Sequence, residues 1–181
     1  MNNTYTTKKQ SKTSSSEQIK QMVIAAVFIA LTYVFTAFVN VRLPFGGNGG
    51  LIHLGNIPLF IGAILFGRKT GALAGGIGMA MFDVLSGWTL WAPFTLITVG
   101  LMGYVVGAVT EKKHGFVWNL TAMLMALGIK IIGYYIAEGI IAGNWIVPVY
   151  SIPGNIIQVG TAIVVVLLVA GQLEKAARKL V

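Results

Sequence analysis

The sequence predicts an all-α integral membrane protein with six transmembrane helices and both termini on the cytoplasmic side. Three observations carry this prediction. First, 56% of the 181 residues are hydrophobic and only 10% are charged, with a mean hydropathy of +0.80. A soluble domain carries about 25% charged residues. Second, long apolar runs alternate with short polar breaks that hold Gly or Pro, and about 20 apolar residues take a helix across a bilayer. Barrel strands would instead alternate over about ten residues. Third, the basic residues fall on alternate breaks. Six passes bring Lys8, Lys9, Lys12, Lys20, Arg68, Lys69, Lys112, Lys113, Lys175, Arg178 and Lys179 to one side and leave Arg42 on the other, with Lys130 inside a span. Lys and Arg mark the cytoplasmic face. The net charge of +8 is therefore a topology signal. Spread over four segments, it gives no nucleic-acid-binding patch.

Taken in order, residues 1–16 (MNNTYTTKKQSKTSSS) read as a disordered polar tail, and 17–181 as one membrane domain. The first helix covers 18–40. Its apolar run, Met22 to Val39, lacks a small-residue cleavage site, which separates it from a signal peptide. A Gly-rich loop follows (VRLPFGGNGGLI, 41–52). The second helix, 53–66, is short and carries Pro58, and Arg68–Lys69 form a tight turn. The third helix covers 70–87 and the fourth 93–110, joined by a link at 88–92. A turn at 111–115 leads into the fifth helix, 116–142. A loop with two prolines, 144–153, precedes the sixth, 154–178. Small residues four apart (Ala26/Ala30, Gly71/Gly75, Gly103/Gly107, Gly139/Gly143) permit close helix contact. Met79, Met81, Met123 and Met125 read as ordinary packing.

Polar residues inside spans are the candidates for chemistry, because burying them in hydrocarbon is costly. Lys130, Tyr134 and Glu138 stand at i, i+4 and i+8 on one face of the fifth helix. Lys130 and Glu138 are about 12 Å apart along the axis and cannot pair directly. Asp83 is a candidate partner for Lys130, so Lys130 reads either as a structural ion pair or as a ligand contact. Asp83 itself reads either as a buried site carboxylate or as a helix-end residue reached by water. Asn48 and His53 lie by the Gly-rich outer loop, where Gly lets backbone approach a ligand; for His53 the plainer reading is an ordinary residue of the first helical turn. Asn155 and Gln158 share a face at the start of the sixth helix, and Asn155 can equally be its cap. Trp91, Phe94, Tyr135, Trp145 and Tyr150 gather at outer helix ends, where an interfacial aromatic belt accounts for most of them. One or two can stack on a flat ligand.

The chain has no Cys and two His, so neither a thiolate site nor a metal cluster is expected, and no cofactor. Walker A, HExxH and GxSxG sequences are absent, which argues against an ATPase or a hydrolase.

The stretch from about 20 to 180 resembles the substrate-binding S-components of energy-coupling factor (ECF) vitamin transporters. Residues 53–87 (HLGNIPLFIGAILFGRKTGALAGGIGMAMFDVLSG), then 91–103 (WAPFTLITVGLMG), together with Ala26-x-x-x-Ala30, resemble the riboflavin-transporter-related branch. Within it they are most similar to members assigned to hydroxymethylpyrimidine, a thiamine precursor, with pyridoxine-assigned members next and riboflavin third. The resemblance implies a non-enzymatic, multi-pass protein of the bacterial cell membrane. It implies capture of a small vitamin outside and delivery through a transmembrane T-component driven by two ATPases. It assigns Ala26 and Ala30 to docking on the T-component, and it places the pocket on the fourth to sixth helices and the first outer loop. That placement agrees with the reading of Asn48, Glu138, Asn155 and Gln158 from the residues themselves, and the candidate binding residues read from the sequence are Asn48, His53, Asp83, Trp91, Lys130, Tyr134, Glu138, Asn155 and Gln158. The rival reading is a self-sufficient secondary transporter that uses Glu138 and Lys130 as a proton relay. An intramembrane enzyme and a purely structural subunit are the further alternatives.

Overall fold

A computed structural model describes residues 14–42 and 51–177. Five long helices dominate: α1 (Ser15–Phe38), α2 (Asn56–Leu85), α3 (Ala92–Thr110), α4 (Phe116–Ala142) and α5 (Ile152–Ala177). All five are long and apolar enough to cross a membrane. Strands β1 (Asn40–Arg42) and β2 (Leu51–His53) form an antiparallel ribbon between α1 and α2. A 3-10 turn, Val147–Ser151, leads into α5.

Helix α1 begins at Ser15, three residues before the expected start. Ser14 caps it: the Ser14 Oγ accepts from Glu17 N at 3.3 Å, a Ser-x-x-Glu arrangement that serves the free amides of a first turn. The cap lay hidden within a polar run. The segment expected as a loop at 41–52 is framed by the ribbon, which pairs Asn40 with His53. His53 is therefore a strand residue, and the helix starts only at Asn56. Asn48 lies outside the described residues. Asn155 is no cap either. Helix α5 starts at Ile152, because Pro153 is tolerated in a first turn whose amide has no intrahelical acceptor.

The second and third expected helices correspond to α2, which is broken rather than straight. Gly67 has φ +83° and ψ −176°, a conformation that only glycine adopts easily. On either side of it, a Cβ placed on Gly71 would lie 2.6 Å from Ala63 Cβ, and one on Gly75 would lie 2.7 Å from Leu59 Cδ1. On a straight helix Leu59 and residue 75 would stand about 24 Å apart. The arms 56–66 and 68–85 therefore run antiparallel. Glu111 locks the turn: its Oε1 accepts from Arg68 N at 2.7 Å, its Oε2 accepts from Arg68 Nε at 2.8 Å, and the pair forms an ion pair at 2.6 Å. The carboxylate thus caps the first amide of the second arm, a favourable place for negative charge.

Neighbouring rods alternate in direction. Phe28 and Thr36 of α1 meet Gly62 and Gly55. Gly71, Gly75 and Gly76 of the second arm meet the backbone of Gly103, Val99 and Leu96 in α3, so the small-residue pairs do bring backbones together. Thr98 of α3 meets Gly133 of α4, and Asn119 Nδ2 donates to Glu174 Oε1 at 3.0 Å between α4 and α5. One end of the bundle consequently gathers the start of α1, the Gly67 break, the Glu111 turn and the last turns of α5. Lys20, Arg68, Lys69, Lys112, Lys113 and Lys175 all lie toward that end. The ribbon, the 86–91 turn and the 143–151 segment form the other end.

The core runs through α2 to α5: Leu59, Phe60, Val99, Met102, Val106, Met123, Val159 and Val166 are fully or almost fully buried. Outward-facing positions are also apolar, with Ile97 at 70% and Leu168 at 74% exposure. Such a surface is unsuited to water and suited to lipid. Met123 packs in the core, while Met81 and Met125 face outward.

Candidate functional site

Helix ends and short turns position the functional side chains. Helix α4 stops at Gly143, which takes the left-handed conformation at φ +61°, a common way to end a helix. Asn144 Oδ1 then accepts from Ile146 N at 2.8 Å, and Tyr135 Oη donates to Trp145 O at 2.8 Å while the two rings stack. These contacts return the chain toward α4 and carry Ser151 beside Glu138. The Ser151 Oγ donates to Glu138 Oε1 at 2.6 Å. Across the bundle, Gly87 (φ +85°) turns the chain after α2, which sets Trp88 and Trp91 over the end of the second arm.

A cavity of about 660 Å³, counting its open mouth, lies at the ribbon end of the bundle. His53, Asp83, Trp91, Lys130, Tyr134, Glu138, Asn155 and Gln158 line it. Eight of the nine candidates from the sequence therefore share one cavity. Six other lining residues had not been singled out as ligand contacts: Thr36, Met79, Phe82, Trp88, Thr95 and Ser151. Thr95 had a readable signal, since it stands one turn after Trp91 on the same face of α3. Ser151 had none, because only the 3-10 turn brings it in. Among the belt aromatics, Tyr135 and Trp145 pair with each other.

Inside the cavity Lys130 is 2% exposed. The expected ion pair with Asp83 is not what holds it: Lys130 Nζ donates to Gln158 Oε1 at 2.8 Å and sits 5.4 Å from the Tyr134 ring centre. A cation over an aromatic face is favourable. Gln158 Nε2 in turn donates to the His53 carbonyl at 3.2 Å, so one amide ties α4 to α5 and to the ribbon. His53 Nδ1 accepts from Gly55 N at 3.3 Å. Burial, and then the nearby Lys130 charge, hold the His53 imidazole well below its usual 6.5, so His53 presents a neutral ring. Tyr134 Oη and Thr95 Oγ1 are 3.1 Å apart, and the Trp91 and Tyr134 ring centres are 6.2 Å apart. Asp83 Oδ2 and Glu138 Oε2 are buried and receive no hydrogen bond. The wall thus combines flat aromatic faces with two carboxylate oxygens open to a donor. This suits a small heteroaromatic ligand held by a few placed polar groups. Among the described residues no group of three or more His, Cys, Asp or Glu could hold a metal ion.

Ala26 and Ala30 sit elsewhere, on an exposed stripe of α1 with Met22, Val23, Val27 and Val34.

Comparison with known proteins places this architecture. The chain is 28% identical over 148 residues to the thiamine precursor transporter HmpT of Lactococcus lactis subsp. cremoris, covering 82% of this chain and 84% of that protein. It is 27% identical over 147 residues to the biotin transporter BioY of Thermotoga maritima, covering 66% and 78%. Its fold matches a solved S component of a bacterial ECF transporter with a TM-score of 0.70 at 17% identity, over 87% of this chain and 97% of that one. The family model for the S component of ECF-type riboflavin transporters matches residues 16–175. The chain is therefore a multi-pass membrane protein of the transport class rather than an enzyme, and it belongs to the ECF-type riboflavin transporter S-component family.

Proposed function

We propose that this chain captures a small heteroaromatic vitamin or vitamin precursor outside the cell and delivers it through a T-component driven by two ATPases. Hydroxymethylpyrimidine is the favoured cargo, pyridoxine the next and riboflavin the third. The observation that carries the reading is the cavity, where aromatic faces and unpartnered carboxylate oxygens meet in a space suited to a small ring. The similarity to a thiamine precursor transporter supports the choice of cargo. The antiparallel arms at Gly67 support reading α2 as two of the six proposed passes, the first of them short. The basic residues gathered at the end opposite the cavity support cytoplasmic termini and an outward-facing mouth. The Ala26/Ala30 stripe is the proposed docking face for the T-component.

Trp88 and Trp91 line the cavity, so tryptophan fluorescence of detergent-purified protein reports on it. Titration with hydroxymethylpyrimidine, pyridoxine, riboflavin and thiamine should give saturable, tight binding of one of them without partner or ATP. No binding of any, checked by calorimetry, refutes the reading. Accumulation of cargo by the chain alone in vesicles under an imposed proton gradient would instead establish the secondary-transporter alternative.

A further inference from the structure

Glu138 carries a half-satisfied carboxylate in the cavity. It is 4% exposed, as is Ser151. Ser151 fixes one carboxylate oxygen, and the other, Oε2, is buried and receives no hydrogen bond. A buried acceptor without a donor is costly. The cavity does not supply the missing donor from its ammonium, because Lys130 lies two turns away along α4 and donates to Gln158. Asp83 Oδ2, supplied to the cavity by α2, is a second buried acceptor that receives no hydrogen bond. The part of the cavity beside Glu138 therefore favours a ring edge that donates a hydrogen bond over one that accepts it.

Resting on the vitamin-binding reading, we propose that Glu138 Oε2 accepts a hydrogen bond from an exocyclic amine of the ligand, and that Ser151 is the positioning residue that aims this carboxylate. The site then distinguishes amino-substituted from oxo-substituted rings. On an oxo ring the proton sits on a ring nitrogen instead, so the exocyclic oxygen at the amine's place would face a carboxylate oxygen with no proton between them, and both would stay unpaired there.

The test is calorimetry on the full-length, detergent-purified chain with hydroxymethylpyrimidine and with the analogue whose amine is replaced by a carbonyl oxygen. The wild type should bind the amine on the order of 10- to 100-fold more tightly. Glu138→Gln keeps the size and supplies an amide N–H, so the ratio should fall toward one or invert. Ser151→Ala should lower the same ratio without abolishing binding; a merely structural role would weaken both ligands equally. Should Glu138→Gln fail to fold, the wild-type ratio and Ser151→Ala decide. Equal binding of the two ligands by the wild type, or a wild-type ratio in Glu138→Gln, overturns the proposal. Tight binding of riboflavin or pyridoxine with none of hydroxymethylpyrimidine overturns it and leaves the vitamin-binding reading intact. No binding of any vitamin overturns both.

Discussion

Gln158 shows how little freedom a side chain keeps in this cavity. Its oxygen accepts from Lys130 and its nitrogen donates to the His53 carbonyl, so the amide can face only one way. Replacing it by Leu leaves a buried ammonium without its acceptor. We expect Gln158→Leu to cost about 1.5–3 kcal/mol, the range for hydrogen bonds to charged groups. The double variant Lys130→Met, Gln158→Leu should cost less than the sum of its singles, because no orphaned charge remains. Thermal melts of the four proteins in detergent measure both quantities, and simple additivity would show that the pair is not coupled. The face of Lys130, Tyr134 and Glu138 was legible in the sequence because helical spacing alone places them together. Their partners were not. Asp83 was the natural guess for Lys130, since opposite charges attract, but a neutral amide holds the ammonium instead. Ser151 reaches Glu138 only through a turn whose geometry no spacing rule describes.

The break in α2 governs the elements around it. The sequence placed a turn at Arg68 and Lys69, and the structure centres it on Gly67, where φ is positive. The helical periods on either side were legible, as were the glycine pairs that let α2 and α3 touch. The cap was not legible, because Glu111 arrives from 43 residues further on. Arg68, chiefly through its side-chain hydrogen bond, holds the Glu111 carboxyl below its usual range. On acidification the unfolded chain takes up this proton before the folded one. The contribution is therefore complete above the ordinary carboxylate range and is lost as the pH falls through the folded-state value. With side-chain exposures of 38% and 32%, solvent screening limits it to about 1 kcal/mol or less. Glu111→Gln should melt slightly lower than wild type at neutral pH, and the gap should close in acid. A gap that persists unchanged would assign the effect to packing rather than charge.

At the scale of the whole molecule, the bundle separates its two proposed contacts. The cavity is at the ribbon end, while Ala26 and Ala30 lie on the outer face of α1, the helix with the least burial (17% of its apolar window, against 61% for α2). Replacing both alanines by Trp should abolish uptake by the assembled transporter and leave calorimetric ligand affinity unchanged; normal uptake would refute the docking assignment. The membrane class and the alternation of charge were legible from composition, because a bilayer constrains sequence more tightly than water does. The internal division of the bundle was not. Its α2–α3 side is joined through glycines in backbone contact, whereas in α4 and α5 Gly128, Gly160 and Gly171 face open space and Gly133 and Gly139 pack against side chains. The α2–α3 side supplies Asp83, Trp91 and Thr95 to the cavity, and α4 onward supplies Lys130, Tyr134, Glu138, Ser151 and Gln158. A lineage adapting to a new nutrient would thus meet two very different halves. On one, a methyl added at Gly71, Gly75, Gly76 or Gly103 collides with a neighbouring main chain. On the other, the cavity is built from paired side chains such as Lys130 with Gln158 and Ser151 with Glu138, so inherited changes of diet should accumulate there as matched replacements.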